Sequence, residues 1–432
     1  MTSDLLIIGG GFAACSAFAW LAEFAPSNLK ITLLAGLNGP NGGLAYGGND
    51  PIHLLNAQHA NMGLLEAEPY GFSHYLATNT LQKDIPRFAS RSCYGDFLQE
   101  QWQISFRKLT SKGIEVIVHH RDAVQISSLT TNDITILDDQ KNSHTANGLL
   151  ICEGPTLAQY SSCSHPKLIS PAWPNGLEKL QQASGHVVIV GTGLSGIDAA
   201  LSALDQAQIN LVTMVSGDGR LPKAHNIDLQ IVSDVRFSGS PLDVFRALRS
   251  AAKTMPWQSV MDALRHQSND LWSRWSVLER RNAMRILSDV WAAHRNRLPP
   301  EIMTRIDQAQ DSGRLVILKG RASVEADKDT GPVLRLLPSE TIVKPDWLVD
   351  SRGFVRIDAS SNTVCGRALA AGHLTLADMG YGVRANKHHR ATPLDVAPIH
   401  VVGAARMGDF IETTGAPEVR LHVRQSLEAL FS

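Results

Sequence analysis

Two glycine-rich turns are the part of this sequence whose residue types and spacing point most directly to chemistry. They are Gly9-x-Gly11-x-x-Ala14 and Gly191-x-Gly193-x-x-Gly196. In such a turn the first glycine permits a tight bend, and the second lets a pyrophosphate approach the backbone. The third small residue lets the following helix pack closely on the strand, with the phosphates at the helix N-terminus. Each turn is therefore predicted to bind a dinucleotide.

The end of the strand that follows each turn is where an adenosine ribose is usually recognised, by a carboxylate. After the first turn this place falls on Leu34-Ala35-Gly36, which contains no carboxylate. Backbone groups or Asn38 are then left to hold the ribose. Because the first turn lies near the N-terminus, we expect FAD as its ligand.

After the second turn, the strand ends in charged residues that bear on the choice of nicotinamide cofactor. Asp218 would accept a hydrogen bond from a ribose hydroxyl and favours NADH. Arg220 or Lys223 would pair with a 2′-phosphate and favours NADPH. The alternative is that all three are solvated charges of a loop, and the sequence leaves these interpretations open.

Strands and helices are predicted around both turns. Apolar runs indicate strands at 5–8, 31–34, 186–190, 209–215, 315–318, 347–349 and 400–403. Helices are predicted at about 14–24, 197–204 and from about 418 to the end, with a helical stretch at about 241–310. The tryptophans of that stretch are interpreted as core residues rather than as a substrate cage; they are Trp257, Trp272, Trp275 and Trp291.

This alternation predicts an α/β fold with two Rossmann-like dinucleotide-binding domains and a helical insertion. We expect residues 1–155 to form the first part of an FAD-binding domain. Residues 156–325 are expected to form the NAD(P)-binding domain, with the helical insertion at about 241–310. Residues 326–432 are expected to return and complete the FAD-binding domain.

Composition and cysteine spacing exclude several other classes of protein. Lys and Arg number 40 against 41 Asp and Glu, so the net charge of −1 gives no indication of a nucleic-acid partner. The 5 cysteines are scattered, none as C-x-x-C, which argues against a zinc or dithiol site and suits a reducing compartment. No apolar run is long enough for a membrane span, and the first run, residues 5–8, lacks a basic region before it and leads into glycines, unlike a signal peptide. We therefore expect a cytoplasmic protein.

Two groups of basic residues allow both a functional and a structural interpretation. Arg295 and Arg297 could bind a carboxylate, or could form an ion pair that joins the helical insertion to the sheet, which we slightly favour. The run Lys387-His388-His389-Arg390 could bind an anion or a metal. Adjacent histidines point in different directions on a helix or a strand, so we expect a solvated loop there.

Short blocks along nearly the whole chain resemble one family of FAD/NAD(P)-binding proteins, which includes L-aspartate N-monooxygenase and an FAD-dependent urate hydroxylase. The N-terminal blocks are Gly43-Leu44-Ala45-Tyr46-Gly47, Pro51-Ile52-His53-Leu54-Leu55-Asn56, Ala60-Asn61-Met62 and Arg91-Ser92-Cys93-Tyr94-Gly95-Asp96-Phe97-Leu98. The others are Leu221-Pro222-Lys223-Ala224-His225, Trp291-Ala292-Ala293-His294-Arg295-Asn296-Arg297-Leu298-Pro299-Pro300 and Glu412-Thr413-Thr414-Gly415-Ala416-Pro417-Glu418-Val419-Arg420. Together these blocks are far more specific than either glycine turn.

The resemblance implies an FAD domain split by a nicotinamide domain and a monooxygenase-like oxidoreductase. NAD(P)H would reduce the flavin, and oxygen would add to form a hydroperoxide that hydroxylates a small nitrogen-containing molecule. It also implies a cofactor-lining stretch that contains Tyr46, Leu55, Asn56 and Met62, with Gly403 after the last strand. His53 and Asn56 would be catalytic donors at the flavin edge, although His53 alone is also typical of an ordinary hydrogen-bonded histidine. An aspartate-like substrate would require an arginine, with Arg295, Arg297 and Arg406 as candidates.

The sequence departs from this family in two places. Cys152-Glu153-Gly154 stands where members usually have Ala-Thr-Gly, and Ser216-Gly217-Asp218-Gly219 stands where they have Ser-Arg-Arg-Gly. The second change indicates use of NADH, substitution by Arg220 and Lys223, or loss of nicotinamide binding, which the retained block 221–225 disfavours. The alternatives are therefore a flavin oxidase or dehydrogenase that does not use nicotinamide, or a redox-sensing nucleotide-binding protein. A disulfide reductase is disfavoured because no cysteine pair is placed to exchange with a flavin.

Overall fold

The computed structural model describes residues 4–48, 50–79, 85–156, 165–173, 175–227, 229, 235–327 and 331–432. The first elements are β1 (Asp4–Ile8), α1 (Phe12–Phe24), β2 (Lys30–Leu34), α2 (Gly43–Tyr46), α3 (Gly71–Asn79), α4 (Arg91–Ser111), β3 (Glu115–His119), β4 (Ala123–Leu129), β5 (Ile134–Asp138), β6 (Ser143–Ala146) and β7 (Gly148–Ile151). They are followed by β8 (Leu168–Ile169), β9 (Gly185–Val190), α5 (Leu194–Leu204), β10 (Ile209–Ser216), α6 (Pro241–Ala251), α7 (Trp257–Arg274), α8 (Val277–Arg295), α9 (Pro300–Asp311), β11 (Leu315–Lys319), β12 (Arg321–Asp327), β13 (Gly331–Leu337), β14 (Thr341–Val343) and β15 (Trp347–Asp350). The last elements are α10 (Val364–Ala370), β16 (Ile399–Val401) and α11 (Ala416–Phe431).

Contacts group the chain into two compact units. Unit 1 contains Met1–Asn49, Ala57–Thr156 and Val355–Ser432, and unit 2 contains Asp50–Asn56 and Leu157–Phe354. The short segment Asp50–Asn56 therefore belongs to unit 2 although its neighbours in sequence belong to unit 1. Unit 2 also extends beyond residue 325, where the sequence places the return to the FAD-binding domain.

Unit 1 is built on a parallel sheet with the strand order β16-β7-β1-β2-β3. The side chains of β1 are almost entirely buried, as expected for a parallel strand covered on both faces. Helix α1 packs against α4 and α11, with the Phe18 and Trp102 rings 4.6 Å apart. A three-stranded antiparallel sheet, β4-β5-β6, lies between β3 and β7 in the chain.

Unit 2 repeats this plan. Its parallel sheet has the order β11-β10-β9-β15-β8, and the antiparallel sheet β12-β13-β14 lies in the chain between β11 and β15, as β4-β5-β6 lies between β3 and β7 in unit 1. Helix α5 packs on β9 and β10, and α9 packs on β11. The predicted α/β fold with two dinucleotide-binding sheets is confirmed.

Helices α6, α7 and α8 lie in the helical insertion predicted at about 241–310 and bury a core of their own, whereas α9, in the same predicted range, packs into the core around the sheet of unit 2. Ser240 and Ser276 begin α6 and α8 with reciprocal side-chain to backbone hydrogen bonds that fix the helix starts. Val260, Leu264 and Leu271 lie in this core, and Trp275 and Trp291 pack against it. Trp272 is 1% exposed, so the interpretation of these rings as core holds for the insertion. None of the described helices is both long and apolar enough to cross a membrane.

Candidate dinucleotide-binding sites

The first glycine turn connects β1 to α1 with no room for a side chain at its first position. Gly9 has φ +114°, and a β-carbon there would lie 2.5 Å from the Cys152 carbonyl oxygen at the end of β7. The Gly9 amide donates to the Leu34 carbonyl at 2.9 Å, which joins the turn to β2. At Gly11 a β-carbon would find its nearest atom, the Gly43 Cα, only at 3.7 Å. Gly9 is therefore needed for the bend, whereas a β-carbon at Gly11 would make only ordinary contacts with the backbone of Gly42 and Gly43.

The second turn has the same construction in unit 2. Gly191 has φ +118°, and its β-carbon would lie 2.8 Å from the Ser351 carbonyl oxygen. No atom lies within 4 Å of a β-carbon placed on Gly193. At Gly196 a β-carbon would lie 2.2 Å from the Gly191 carbonyl oxygen, so helix and turn approach closely there. Ala14 takes the corresponding place in unit 1 and is fully buried.

Both helices that follow these turns begin without a side-chain cap. Gly11 and Gly193 are the N-cap residues of α1 and α5, and neither described first turn contains an acidic residue. The first amide groups of each helix are thus available to an anion, and the helix dipole favours negative charge there. Uncapped amides at a helix start beside a glycine fit a pyrophosphate in each unit, and in unit 2 the Gly193 position is also open.

A carboxylate that the sequence did not indicate lies at the end of β2, the strand after the first glycine turn. We call this end of the strand the strand tip of unit 1. The Gly36 amide, two residues beyond β2, donates to the Arg121 carbonyl at 3.0 Å. A β-carbon on Gly36 would lie 3.2 Å from Oδ1 of Asp122, an exposed residue that follows β3. The acid therefore comes from the segment after the third strand instead of the second strand. Only the pairing of β2 with β3 brings it there, and the sequence gives no direct sign of that register.

The strand tip of unit 2 is the end of β10, and the loop that follows it contains Asp218, whose carboxylate contacts residues of the same loop. Oδ1 of Asp218 accepts from the Ser216 hydroxyl at 3.1 Å and from the Arg220 amide at 3.2 Å. The Arg220 Nε lies 3.9 Å from the second carboxylate oxygen. The Thr192 hydroxyl, inside the glycine turn, donates to the Arg220 carbonyl at 2.6 Å. Asp218 and Arg220 thus lie beside the second turn, with the carboxylate partly satisfied by its neighbours.

In unit 1, Tyr94 contacts two of the residues predicted to line the cofactor, Tyr46 and Met62. Its hydroxyl donates to the Met62 carbonyl at 2.8 Å. Its ring lies 4.7 Å from that of Tyr46 and 6.4 Å from that of Phe12, the first residue of α1. Burial raises the pKa of both tyrosines, so both stay protonated. Tyr46 and Met62 are therefore positioned together near the start of α1.

His53, Leu55 and Asn56 lie in unit 2. His53 is buried, its Nε2 lies 2.9 Å from the Ser202 hydroxyl of α5, and its ring is 5.2 Å from that of Trp173. Leu55 is 1% exposed, and the Asn56 carbonyl lies 2.9 Å from Nε2 of His225. These contacts anchor the segment to unit 2. A role for His53 and Asn56 as donors at a flavin edge stays a prediction.

Gly403 begins a short 3-10 turn directly after β16. Its carbonyl accepts from the Thr413 hydroxyl at 2.8 Å, and no atom lies within 4 Å of a β-carbon placed on it. Helix α11 then begins at Ala416, and its N-cap residue Gly415 again provides no side-chain cap. The C-terminal stretch thus adds an open glycine position and an uncapped helix to unit 1.

The prediction of a solvated loop at residues 387–390 is wrong for His389. This residue is 1% exposed, and its Nδ1 accepts from Nη1 of Arg406 at 2.7 Å. Its Nε2 lies 3.0 Å from Oε1 of Gln425 in α11 and therefore donates there. Burial and the nearby Arg406 lower the pKa of His389 to about 2, so it is neutral. The sequence could not show that α11 covers this loop.

Two of the three arginines considered for a substrate clamp have structural roles. Arg406 is fully buried and pairs with Asp409 at 2.5 Å. Arg297 is 8% exposed and pairs with Asp262 of α7, so its ion pair lies within the range predicted for the helical insertion and does not join the insertion to the sheet. Neither guanidinium is presented to solvent.

Glu153 has a defined partner at the first departure from the family pattern. Its carboxylate accepts from the amides of Val364 and Cys365, at 2.9 and 3.1 Å, at the start of α10. Burial raises the pKa of this carboxyl group. Glu153 therefore ties the end of β7 to α10. No group of three or more histidine, cysteine, aspartate or glutamate residues that could hold a metal occurs in the described part of the chain.

Comparison with known proteins agrees with this geometry. Residues 6–156 match a family model described as FAD-NAD(P)-binding. The chain carries an FAD-NAD(P)-binding domain. The resemblance to FAD/NAD(P)-binding proteins is thereby confirmed, and FAD and a nicotinamide dinucleotide are supported as cofactors. No curated protein sequence matches the chain.

Solved structures extend the similarity of fold to the whole chain. The ornithine N-hydroxylase of Kutzneria sp. 744 has 12% sequence identity and a TM-score of 0.63, covering 99% of this chain and 98% of that one. The cadaverine monooxygenase of Erwinia amylovora has 10% identity and a TM-score of 0.60, covering 99% and 94%. The bacillithiol disulfide reductase of Staphylococcus aureus has 12% identity and a TM-score of 0.56, covering 99% and 98%. At these identities the fold is shared, while the chemistry differs among the three proteins.

Proposed function

We propose that this protein is an FAD-dependent, NAD(P)H-consuming oxidoreductase, and specifically a monooxygenase that hydroxylates a small nitrogen-containing molecule. The observation that carries the proposal is the presence in one chain of two glycine turns, each of which leads into a helix whose first amides have no side-chain cap. One site suits a flavin dinucleotide, and the other suits the nicotinamide dinucleotide that supplies its electrons. The similarity in fold to an ornithine N-hydroxylase and to a cadaverine monooxygenase supports the choice of reaction and of a nitrogenous substrate.

The flavin, when bound, supplies hydride acceptance from the nicotinamide and activation of oxygen. The chain supplies binding and orientation. The amides at Gly11 and at Gly193 would hold the two pyrophosphates. In unit 1, Asp122 would accept hydrogen bonds from the adenosine ribose, and Tyr94 would fix the backbone at Met62.

A thiol-based reductase is the other chemistry found on this fold, and the cysteines argue against it. Cys15, Cys152 and Cys365 are free and buried, and burial raises the pKa of each thiol. Thiol exchange requires an accessible thiolate. Cys93 is partly exposed, but burial and Asp96 raise its thiol pKa as well. Cys163 lies outside the described residues. Free, scattered cysteines also suit the reducing cytoplasm.

The visible spectrum of the purified protein, recorded anaerobically during addition of NADH and then NADPH, tests the proposal. We expect a bound yellow flavin that either nucleotide bleaches, with reoxidation on admission of air. Candidate amines should then be compared for stimulation of nucleotide oxidation and for a hydroxylated product. A yellow protein that neither nucleotide reduces, with or without amines, would contradict the monooxygenase assignment and favour an oxidase or a binding protein.

A further inference from the structure

Two cationic side chains from outside the second glycine motif lie at the strand tip of unit 2. Lys319 ends β11 beside Ser216, its partner in β10, and the Gly320 amide donates to the Ser216 carbonyl at 2.9 Å. A β-carbon on Gly219 would lie 3.1 Å from Cβ of Lys319. A β-carbon on Gly217 would lie 3.9 Å from Cγ of Arg321. Because Gly217 and Gly219 have no side chains, the side chains of Lys319 and Arg321 can lie beside the strand tip.

Arg321 occupies the place that Asp122 occupies in unit 1. In unit 1 the Gly9 amide donates to the Leu34 carbonyl of β2, and Leu34 is the neighbour of His119 in β3. In unit 2 the Gly191 amide donates to the Val215 carbonyl of β10, and Val215 is the neighbour of Leu318 in β11. Asp122 follows His119 by three residues, as Arg321 follows Leu318. Gly36 and Gly217, which contact them, each follow the paired strand residue by two positions. The same structural position is therefore acidic in unit 1 and basic in unit 2.

The local charges favour a negative ligand at this tip. Asp218 is the acidic residue of the loop, and it already accepts two hydrogen bonds and lies near Arg220. Lys319, Arg321 and Arg220 are all exposed. Lys319 and Arg321 have no ion-pair partner among the residues that the structure describes. A ribose with two free hydroxyls would not use this charge, whereas a phosphate ester on the ribose would.

We propose that Arg321, assisted by Arg220 and Lys319, binds the 2′-phosphate of NADPH and makes it the preferred electron donor. This inference rests on the proposed function, because it assumes that unit 2 binds a nicotinamide dinucleotide. Arg321 acts as a specificity-determining residue. Its guanidinium offers the paired donors that match phosphate oxygens, and it reaches the tip from β12 because Gly217 has no side chain.

The test measures binding of adenosine 2′,5′-bisphosphate and of 5′-AMP to the full-length protein by calorimetry, with no need for flavin chemistry. The natural protein should bind the bisphosphate at least about tenfold more tightly. Arg321→Ala should weaken bisphosphate binding by about tenfold, equivalent to about 1.4 kcal/mol, and leave 5′-AMP binding unchanged. Arg335→Ala is the matched control, because Arg335 lies in the same antiparallel sheet and faces Glu325 and Glu340. It should change neither affinity.

Each other outcome overturns the inference or separates it from the proposed function. Equal affinity for the two nucleotides, tighter binding of 5′-AMP, or no binding of either would overturn the inference. So would an unchanged preference in a folded Arg321→Ala variant. If NADH and NADPH bleach the flavin equally well, the inference fails and the proposed function stands. If the bisphosphate is preferred through Arg321 but neither nucleotide bleaches a bound flavin, the inference stands and the proposed function fails.

Discussion

The two nucleotide-binding units share the same order of strands, glycine turn and helix, but they differ in the charge at the strand tip. In each unit a parallel strand, a glycine turn, a helix and two further parallel strands follow one another, and an antiparallel sheet then precedes the next parallel strand, β7 in unit 1 and β15 in unit 2. Each first glycine bonds to the strand beside it at nearly the same distance, 2.9 Å for Gly9 and 2.8 Å for Gly191. The charge at the strand tip differs, with Asp122 in unit 1 and Arg321 in unit 2. Under the proposed function, the shared plan would place a ribose at each strand tip, and Asp122 after β3 or Arg321 after β11 would decide which ribose is suited.

The units also differ in how they bury ionisable groups. Unit 1 encloses His389, His400 and His422 around the fully buried Arg406. The rings of His389 and His422 lie 4.2 Å apart. Burial lowers the pKa of His400 and of His422 to about 4 and that of His389 to about 2. In unit 2, burial lowers the pKa of His186 and His225, without a comparably large shift.

The largest expected effect is acid destabilisation of unit 1. The three buried histidines have folded-state pKa values below the unfolded value of about 6.5, so their contribution is complete above that pH and is lost as the pH falls below it. Uptake of three protons on unfolding would lower the free energy of unfolding by up to about 4 kcal/mol per pH unit. Denaturant unfolding at pH 7, 6 and 5, followed by circular dichroism, measures this slope.

Single histidine substitutions locate that effect. His422→Gln should reduce the slope by about a third, because one of the three protons is removed. His74→Gln changes an exposed histidine of the same unit and should leave the slope unchanged. Equal stability at pH 7 and pH 5 would show that the histidine cluster does not set the acid sensitivity of unit 1.

The next effect comes from the first glycine of each turn. Gly9→Val places a side chain at positive φ against the Cys152 carbonyl, and we expect about 3 kcal/mol of destabilisation together with loss of bound flavin. Gly191→Val should have the same steric effect against Ser351 but should keep the flavin and lose nicotinamide binding. Thermal unfolding and flavin content measure both.

Substitutions at the second glycines separate steric strain from ligand contact. Gly11→Ala and Gly193→Ala place a methyl group where no protein atom lies within about 3.5 Å, so stability should change little. Nucleotide affinity should still fall, because the methyl group occupies the approach to the backbone. Unchanged affinity in either variant would mean that the pyrophosphate does not lie at that turn.

The smallest effect concerns the strand tip of unit 1. Asp122→Ala should weaken FAD binding by about tenfold, the size of a hydrogen bond to a charged group, with little change in the spectrum of flavin that remains bound. Asp122→Asn, which keeps one acceptor oxygen, should have an intermediate effect. Flavin release by dialysis, followed by fluorescence titration with FAD, gives the dissociation constants. An FAD affinity unaffected by Asp122→Ala would leave backbone groups or Asn38 as the ribose ligands.

Much of the fold could be predicted because its signals are local. The apolar run before Gly9 predicts the strand found at Asp4–Ile8, and the run before Gly191 predicts the strand found at Gly185–Val190. A parallel strand covered on both faces must be apolar throughout, and a turn against a phosphate must lack side chains. The sequence also places Asp218 and Arg220 at the second strand tip, where the structure has them.

Residues distant in the chain could not be assigned from sequence. His389 is part of a basic run that suggests a solvated loop, and only the packing of α11 buries it against Gln425 and Arg406. The segment Asp50–Asn56 has family-like residues next to the flavin-binding region, yet it packs in unit 2.

The sequence by itself determined the number of nucleotide turns, their position between strand and helix, and the two cofactor classes, because these depend on neighbours in the chain. Tertiary structure decided which charges face each strand tip. Asp122 and Arg321 reach their tips through the register of β3 with β2 and of β11 with β10. Strand register is set by long-range pairing and side-chain packing, which no local pattern encodes.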